Sequence, residues 1–381
     1  MRCAHRLYPA AIVAAVTLVG AFAVAGPLVP PPGPISPTNK PLAEIEPRVA
    51  VNAANTPGDN DATPSLFKIT EPGSYYLTND IVGEAGKHGV EITASDVTLD
   101  LNGFSLVGVP GSLDGVHVSA AVEGVTIRNG AAHDWGGAGI SGFFARRAIV
   151  ERIRAHNNGG LGIRVGDSSV VQACVVRSNG SSGVLTGTAC SVVDTVADTN
   201  TGNGLFVGAG STVRGCVATF NTFAGINAGP SSSVLNCAAS HNSQSGFEIG
   251  ANSVVQVCTA TNNGSDGIKA GSGSSVTQCV SNQNSGDGVS IDANSLVKDN
   301  ACSLNNAAGV HVRGSDVHVE GNTATNNNQG FLVDMGGNLI VRNSASGNVS
   351  NFAIAPSNTV GAIVTSGAIA TNLNPHANYS F

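Results

Sequence analysis

The residues best suited to acid–base chemistry are the neighbours His133 and Asp134, which precede Trp135, the single tryptophan of the chain. A histidine can remove or deliver a proton near neutral pH, and an adjacent carboxylate can orient its ring. If Arg146 or Arg147 neutralised the carboxylate of a bound uronate, His133 could act as base or acid beside it. This hypothesis predicts an enzyme that acts on an acidic polysaccharide by β-elimination or epimerisation, with His133 and Asp134 as its catalytic residues.

Arginines concentrate around this segment of a chain whose formal net charge is −7. A guanidinium binds a carboxylate through two parallel hydrogen bonds, so a basic band with aromatic residues favours a carboxylated or sulfated polysaccharide. The arginines of this band are Arg128, Arg146, Arg147, Arg152, Arg154, Arg164 and Arg177. The residues predicted to bind the polysaccharide are Arg128, Trp135, Phe143, Phe144, Arg146, Arg147, Arg152 and Arg154. The alternative is that these arginines only alternate outward along strands and keep the surface soluble.

A second pair that could do chemistry is Asp266 and Asp287, which occupy equivalent places in successive repeats. Two carboxylates one strand spacing apart could bind calcium or act as a retaining acid pair. The simpler interpretation is two neighbouring x-Asp-Gly turns. We therefore predict no metal site and no cofactor, and calcium stays an alternative without support from a residue pattern.

An internal repeat defines the elements that would position these residues. Glycines recur every 21 residues from Gly162 to Gly330, and an asparagine stands four residues before each of them. A valine column with the same spacing runs from Val171 to Val297. Each repeat holds short β-runs bounded by Asn, Gly and Ser, which are turn formers. A coil that rises by one strand spacing stacks equivalent residues, so we predict an all-β parallel β-helix of roughly 12 coils, capped at both ends.

Cysteines follow the same repeat. One column contains Cys174, Cys216, Cys237, Cys258 and Cys279, with Thr195 and Asn300 at the equivalent place. Stacked side chains point in parallel directions, which suits a disulfide poorly. Buried thiols are therefore favoured, with disulfides between neighbouring coils as the alternative in an exported protein. Metal binding is less favoured because no histidine joins the column.

The asparagine and glycine columns, together with the segment Asp96-Val-Thr-Leu-Asp-Leu-Asn-Gly103, resemble right-handed parallel β-helix repeat proteins of the pectate-lyase-like superfamily. The segments Pro72-Gly-Ser-Tyr-Tyr-Leu77 and Asn374-Pro-His-Ala-Asn378 resemble a bacterial exported subgroup that mostly lacks an assigned function. The resemblance covers about residues 65 to 381. It implies a right-handed solenoid and says little about chemistry, because this scaffold hosts enzymes, adhesins and inert surface proteins.

Most catalytic segments of the enzymes in this superfamily are missing here. The chain lacks the spaced Arg-x-x-Pro-x-x-Arg segment of the lyases and the Gly-His-Gly segment of the galacturonan hydrolases. The Gly-x-Asp-Pro-His-Asp segment of alginate-type epimerases is matched only at its end, by His133 and Asp134. Ala131 and Ala132 stand where Asp-Pro would be, and these missing segments favour a non-catalytic role.

The amino-terminal residues predict export. Arg2 and Arg6 precede the apolar stretch from Ala10 to Val24, which small residues follow at a suitable cleavage site. We predict a signal peptide at 1–25, a Pro-rich linker at 26–42, an amino-terminal cap at 43–66, the β-helix at 67–352 and a closing segment at 353–381. A retained anchor is the alternative to cleavage.

The coils that precede Gly162 are longer than 21 residues. The extra residues must lie outside the regular coil, and loops on a rigid scaffold often carry binding groups. We expect them to loop out around 107–113 and 131–137.

These features predict an exported scaffold, secreted, periplasmic or at the cell surface, that binds an extracellular acidic polysaccharide or forms part of the surface without turnover. A polysaccharide lyase or C5-epimerase is the first alternative, and a purely structural or adhesive surface protein is the second. The acidic chain disfavours nucleic acid as a partner. No membrane span is expected after removal of the signal peptide, and the oligomeric state stays open.

Overall fold

The computed structural model describes residues 47–381. The predicted signal peptide, the Pro-rich linker and the first residues of the cap lie outside this range. The described residues form a right-handed parallel β-solenoid of about 14 turns with a repeat of about 21 residues, which confirms the predicted fold and slightly exceeds the predicted number of coils.

One face of the solenoid is a 15-stranded sheet, called here the first face. Its strands are Pro57–Asp59, Ser65–Ile69, His88–Ile92, Val116–Val118, Ile140–Gly142, Ile163–Val165, Val184–Thr186, Leu205–Val207, Ile226–Ala228, Phe247–Ile249, Ile268–Ala270, Val289–Ile291, Ala308–Val312, Gln329–Val333 and Ser350–Ile354. All neighbouring pairs are parallel except the first, in which Pro57–Asp59 runs antiparallel to Ser65–Ile69.

The remaining strands form a 28-stranded sheet in which most coils contribute two short strands separated by a bend. Its strands are Val49–Ala50, Gly73–Tyr76, Ile81–Val82, Val97–Asp100, Ser105–Val107, Thr126–His133, Ile149–His156, Val170–Gln172, Val175–Arg177, Ser191–Val193, Val196–Asp198, Thr212–Arg214, Val217–Thr219, Ser233–Leu235, Ala238–Ser240, Val254–Gln256, Thr259–Thr261, Ser275–Thr277, Val280–Asn282, Leu296–Lys298, Ala301–Ser303, His318–Glu320, Thr323–Thr325, Leu339–Val341, Ser344–Ser346, Thr359–Val360, Ile363–Thr365 and Asn378–Ser380. We call the strands before the bend, such as Val170–Gln172, the second face and those after it, such as Val175–Arg177, the third face.

The core lies inside the coil and is built from small and branched side chains. Strands of the first face bury their two outer residues, whereas strands of the other faces bury the middle one, as in Val170–Gln172. The valine column from Val171 to Val297 is fully buried. Because every coil covers the apolar residues of its neighbours, no coil could bury this surface alone.

Asparagines at the turn before the first face form a continuous hydrogen-bonded ladder. Asn221 donates from Nδ2 to the carbonyl oxygen of Ala197 and to Oδ1 of Asn242, at 3.1 and 3.0 Å. Its own Oδ1 accepts hydrogen bonds from the amide and from Nδ2 of Asn200, both at 3.0 Å. Each buried amide is thus satisfied by the coils on either side, which explains the asparagine column.

The cysteines of the described residues are free and buried. Cys216 and Cys258 donate their backbone amides to the sulfur atoms of Cys237 and Cys279, in each case at 3.4 Å. The thiol of Cys174 donates to the carbonyl oxygen of Gln172 at 3.2 Å. Cysteine therefore serves as a small inward turn residue, as the repeat predicts.

The extra residues of the longer coils near the amino terminus are predicted to loop out around 107–113 and 131–137, and the structure supports only the first of these places. The first prediction is confirmed in part, because a turn after Val107 is closed by a 2.9 Å hydrogen bond from the amide of Ser112 to the carbonyl oxygen of Val109. The second is wrong: Ala131 to His133 continue a strand that pairs with Arg154 to His156. The sheet registers instead place extra residues at 119–125 and 143–148, between the first and second faces.

Both ends of the described solenoid carry irregular structure. Residues 47–66 contain strands and turns, and Val49 and Ala50 pair in parallel with Tyr75 and Tyr76. At the other end, a 3₁₀ helix, Ser366–Thr371, precedes the strand Asn378–Ser380. None of the helices within 47–381 has the length and hydrophobicity needed to cross a membrane.

Candidate functional site

His133 and His156 stack on the third face. They are paired in register, and their ring centroids lie 4.7 Å apart with an interplanar angle of 4°. Nδ1 of His133 lies 2.7 Å from Oδ2 of Asp134, and Asp134 adopts a left-handed φ of 60°. The hydrogen bond to His133 is the main cause that lowers the pKa of Asp134, which therefore stays ionised and orients the ring.

Two arginines extend this cluster along the same face. Arg154, His156, Val175 and Arg177 line an open cavity of about 280 Å³. Nδ1 of His156 is buried and has no hydrogen-bond partner among residues 47–381. The pKa of His156 is lowered, first by burial and then by the charges of His133 and Arg177. We call His133, His156, Arg154 and Arg177 the histidine–arginine patch.

The arginines of the predicted band divide into paired and unpaired groups. Three form ion pairs, which are Arg128 with Asp100 at 3.2 Å, Arg147 with Glu123 at 2.8 Å and Arg152 with Glu151 at 2.7 Å. Within the described residues, Arg154 and Arg177 are exposed and lie within 4.0 Å of no carboxylate. A paired guanidinium already donates its strongest hydrogen bonds to a carboxylate of the protein. Arg154 and Arg177 are therefore the better candidates to bind an external anion.

The band surrounds the coil instead of covering one surface. Arg164 lies on the first face, Arg128 on the second and Arg154 on the third. Arg146 and Arg147 precede the strand Ile149–His156, whereas His133 pairs with its last residue. The length of that strand separates them from His133, so the predicted combination of His133 with Arg146 or Arg147 is wrong.

Trp135 belongs to the core and offers no surface to a sugar. Only 1% of it is exposed, and its indole N–H donates to the carbonyl oxygen of Leu106 at 3.0 Å. The ring fits a slot between Gly83, Gly89 and Gly115, because a Cβ atom at any of these glycines would lie within 2.9 Å of the indole. The predicted contact between Trp135 and a polysaccharide is therefore corrected.

Phe143 and Phe144 are exposed in the turn after the first face, and their rings contact edge to face with centroids 5.0 Å apart. The guanidinium of Arg164 lies 4.0 Å from the centroid of the Phe143 ring. A cation on an aromatic ring occupies a face that a sugar would need. Phe144 is the better placed of the two for an external ligand.

A second polar surface lies farther along the first face. A groove of about 350 Å³ is lined in part by Glu248, Lys269, Asp292 and Arg313. Lys269 pairs with Glu248 at 3.2 Å, and Arg313 pairs with Asp292 at 3.1 Å. Its cations are thus neutralised by neighbours, unlike those of the histidine–arginine patch.

Asp266 and Asp287 act as turn residues that join successive coils. Oδ1 of Asp266 accepts the amide of Asp287, and Oδ1 of Asp287 accepts the amide of Ala308, both at 2.9 Å. The remaining oxygen of Asp287 contacts His311 at 2.7 Å. These bonds give the simpler, structural interpretation of the pair.

The sequence interpretation overlooked His156 as a site residue and left Arg177 outside the predicted binding set. The signal was available, because His156 and Arg177 fall in the column of His133 once coils of unequal length are aligned by strand. Spacing measured from the repeat glycines does not reveal this column, because extra residues inside the longer coils shift His133 relative to the glycines.

The chain belongs to the family described as "Right handed beta helix region", whose pattern matches residues 69–238 and 205–349. The A-module of the mannuronan C-5 epimerase AlgE6 of Azotobacter vinelandii is similar in structure, with 18% identity and a TM-score of 0.56 over 76% of this chain and 91% of that one. The A-module of AlgE4 from the same organism has 15% identity and a TM-score of 0.51 over 81% and 91%. At such identities the likeness shows the fold. A comparison with curated protein sequences gives no match.

Proposed function

We propose that this protein is an exported β-helix that binds an acidic polysaccharide at the histidine–arginine patch without turnover. The observation that carries the proposal is the pair of exposed arginines, Arg154 and Arg177, which line one cavity and lack acidic partners within the described residues. Two guanidinium groups with free donors suit the carboxylates of successive uronate residues.

Several further features agree with a chain-like, charged ligand. His156 lies beside the arginines in the same cavity, and Val175 adds exposed apolar surface of the kind that sugar rings can cover. Asp198 follows Arg177 in the same column and marks where the cationic surface ends. The similar fold of two mannuronan C-5 epimerase modules supports a polysaccharide as the ligand class.

Titration calorimetry with oligomers of alginate, polygalacturonate and a sulfated glycan tests this proposal, with dextran as the neutral control. Arg154→Ala and Arg177→Ala should each weaken binding about tenfold, since a charge-assisted hydrogen bond contributes about 1.5 kcal/mol or more. Arg214→Ala is the matched control, because Arg214 is also exposed and unpaired within the described residues but lies on the second face. An equal loss in all three variants, or no binding at any salt concentration, would contradict the proposal.

The charge of Asp198 gives a second test with the opposite sign. Asp198→Asn removes a carboxylate next to Arg177 and should strengthen binding of an acidic oligosaccharide. Binding of dextran should not change. A weaker interaction after this substitution would place the ligand elsewhere.

The 2.7 Å contact between His133 and Asp134 favours one alternative, an enzyme that acts on uronates. An oriented imidazole beside two arginines could remove the proton next to a carboxylate that Arg154 or Arg177 neutralises. Elimination would produce absorbing unsaturated ends, and epimerisation in deuterium oxide would incorporate deuterium at C5. Either signal in the native protein, lost in His133→Gln, would replace the binding proposal with this one.

A further inference from the structure

We propose that His88, Asp114 and His117 form a binding site for a divalent transition metal ion of the zinc class. One ring nitrogen of each histidine and one carboxylate oxygen of Asp114 lie within 4.8 Å of one another. Two imidazoles and one carboxylate are a ligand set that such ions prefer, with the remaining position open to water. This site is separate from the histidine–arginine patch.

The three side chains come from two adjacent coils at the beginning of the first face. His88 begins one strand, and Asp114 and His117 flank the start of the next. Oδ2 of Asp114 lies 2.9 Å from Nδ1 of His117 and 3.5 Å from Nδ1 of His88. The rings are stacked with centroids 4.0 Å apart, so the nitrogen atoms converge on one carboxylate oxygen.

The surroundings hold these groups in place. Oδ1 of Asp114 accepts the amide of Ala138 at 2.7 Å, which leaves Oδ2 for the histidines. Gly89 and Gly115 follow His88 and Asp114 directly, and a Cβ atom at either glycine would lie within 2.9 Å of the buried ring of Trp135. The core therefore fixes the backbone at His88 and Asp114, and the hydrogen bond from Ala138 orients the carboxylate of Asp114.

Charge balance distinguishes this cluster from a neighbouring acidic one. Asp59, Asp61 and Glu91 surround the ammonium group of Lys68, whose Nζ lies 2.6, 2.9 and 3.2 Å from their oxygens. That cluster already contains its cation. Within the described residues, no lysine or arginine lies within 4.0 Å of the Asp114 carboxylate, whose close neighbours are the two histidines.

Metal entry requires small changes that the geometry allows. Nδ1 of His88 accepts a hydrogen bond from the backbone amide of Asp114 at 3.0 Å, so this ring nitrogen is unprotonated and its lone pair is engaged by that amide until an ion displaces it. The ion would take the place of the hydrogen bond between His117 and Asp114. The amide bond to His88 competes with coordination, so we expect moderate affinity and a pH dependence in which acid weakens binding.

Calorimetry of the full chain, purified without a polyhistidine tag, with ZnSO₄ at pH 7.5 and pH 5.5 tests the site. We expect one ion per chain, weaker binding at the lower pH, and visible absorption bands of four-coordinate cobalt when CoCl₂ replaces zinc. His117→Gln and Asp114→Asn should each abolish the cobalt bands and weaken zinc binding by at least about tenfold, as loss of a ligand does.

His311→Gln serves as the matched control, because His311 also contacts two carboxylates but has them on opposite ring nitrogens. Circular dichroism must show that each variant is folded. Zinc should raise the melting temperature of the native protein and of His311→Gln, but not that of His117→Gln. Absence of binding to the native protein, or equal binding by His117→Gln and the native protein, would overturn the proposal.

Discussion

His133 and His156 stack in register across two adjacent coils, with ring planes that differ by 4°. The two imidazoles come from strands of the same sheet, so their spacing is imposed by the backbone. A proton on one ring therefore acts directly on the other.

This relationship predicts a pH dependence of glycan binding. Burial and the nearby cations lower the pKa of His156, so its ring is neutral at pH 7 and gains a proton only in more acidic solution. Affinity for an acidic oligosaccharide should rise as the pH falls below the ordinary titration range of histidine, because a cation is added to the patch. Titrations between pH 8 and pH 5 measure this, and His156→Gln should remove most of the change. A flat profile in the native protein would contradict it.

The contact of His311 with two carboxylates predicts loss of stability in alkaline solution. Nδ1 lies 2.7 Å from Asp287, Nε2 lies 2.9 Å from Asp334, and these bonds outweigh burial and raise the pKa of His311. A histidine whose pKa is raised by folding stabilises the folded protein while it is protonated. This stabilisation is complete below the pKa of the unfolded state and is lost as the pH rises through the pKa of the folded state. Urea unfolding of the native protein relative to His311→Gln should show a difference of about 2 kcal/mol at pH 5.5 that shrinks by pH 9. A constant difference would exclude a charged ring.

The asparagine ladder predicts large costs for single amide deletions. Asn221→Ala removes four hydrogen bonds to Asn200, Ala197 and Asn242 and deprives the buried backbone amide of Asn200 of its acceptor. We expect a loss of about 2–4 kcal/mol in the free energy of unfolding, measured in urea. Asn306→Ala is the control, since Asn306 is exposed and should change stability by less than about 0.5 kcal/mol. Similar effects in both variants would argue against the ladder.

Burial of Trp135 predicts a structural effect without a direct binding effect. Trp135→Ala empties the slot between three glycines and should cost about 3–5 kcal/mol of stability. Oligosaccharide affinity, measured where the variant is still folded, should stay close to that of the native protein. A specific loss of affinity in a stable Trp135→Ala protein would restore a binding role for the indole.

The cysteines of the described residues are all buried, so their thiols should be inert in the folded protein. Cys174 is buried and its pKa is raised to about 11 by desolvation, so little thiolate exists at neutral pH. Reaction with a thiol reagent should require denaturant, and a reducing agent should leave the melting temperature unchanged. Rapid labelling under native conditions would show that the coil opens at this column.

The fold could be predicted because identical residues recur at identical places. Asn158 and Asn179 are interchangeable in the ladder, and the valine column is buried as expected. A fixed period of identical residues indicates stacked coils, because a solenoid brings residues one period apart into contact.

The site was predictable only in part, because its residues lie where the repeat is irregular. A lone tryptophan beside His133 suggested a binding loop, but its burial depends on Gly83, Gly89 and Gly115 in other coils. Arg146 is close to His133 in sequence and lies at the opposite end of a paired strand. Proximity along the chain therefore misplaced the partners of His133, whereas register identifies His156.

The equivalence of successive coils in the asparagine ladder also bears on how such a chain can change in length. Removal or duplication of one complete period between Asn179 and Asn221 would join each asparagine to a partner of the same kind. Each such event would shift the groove near Lys269 relative to the histidine–arginine patch by about 4.8 Å along the axis, while leaving both surfaces intact. Insertions of whole periods thus offer a route by which the spacing of two surface sites can evolve without redesign of the interior.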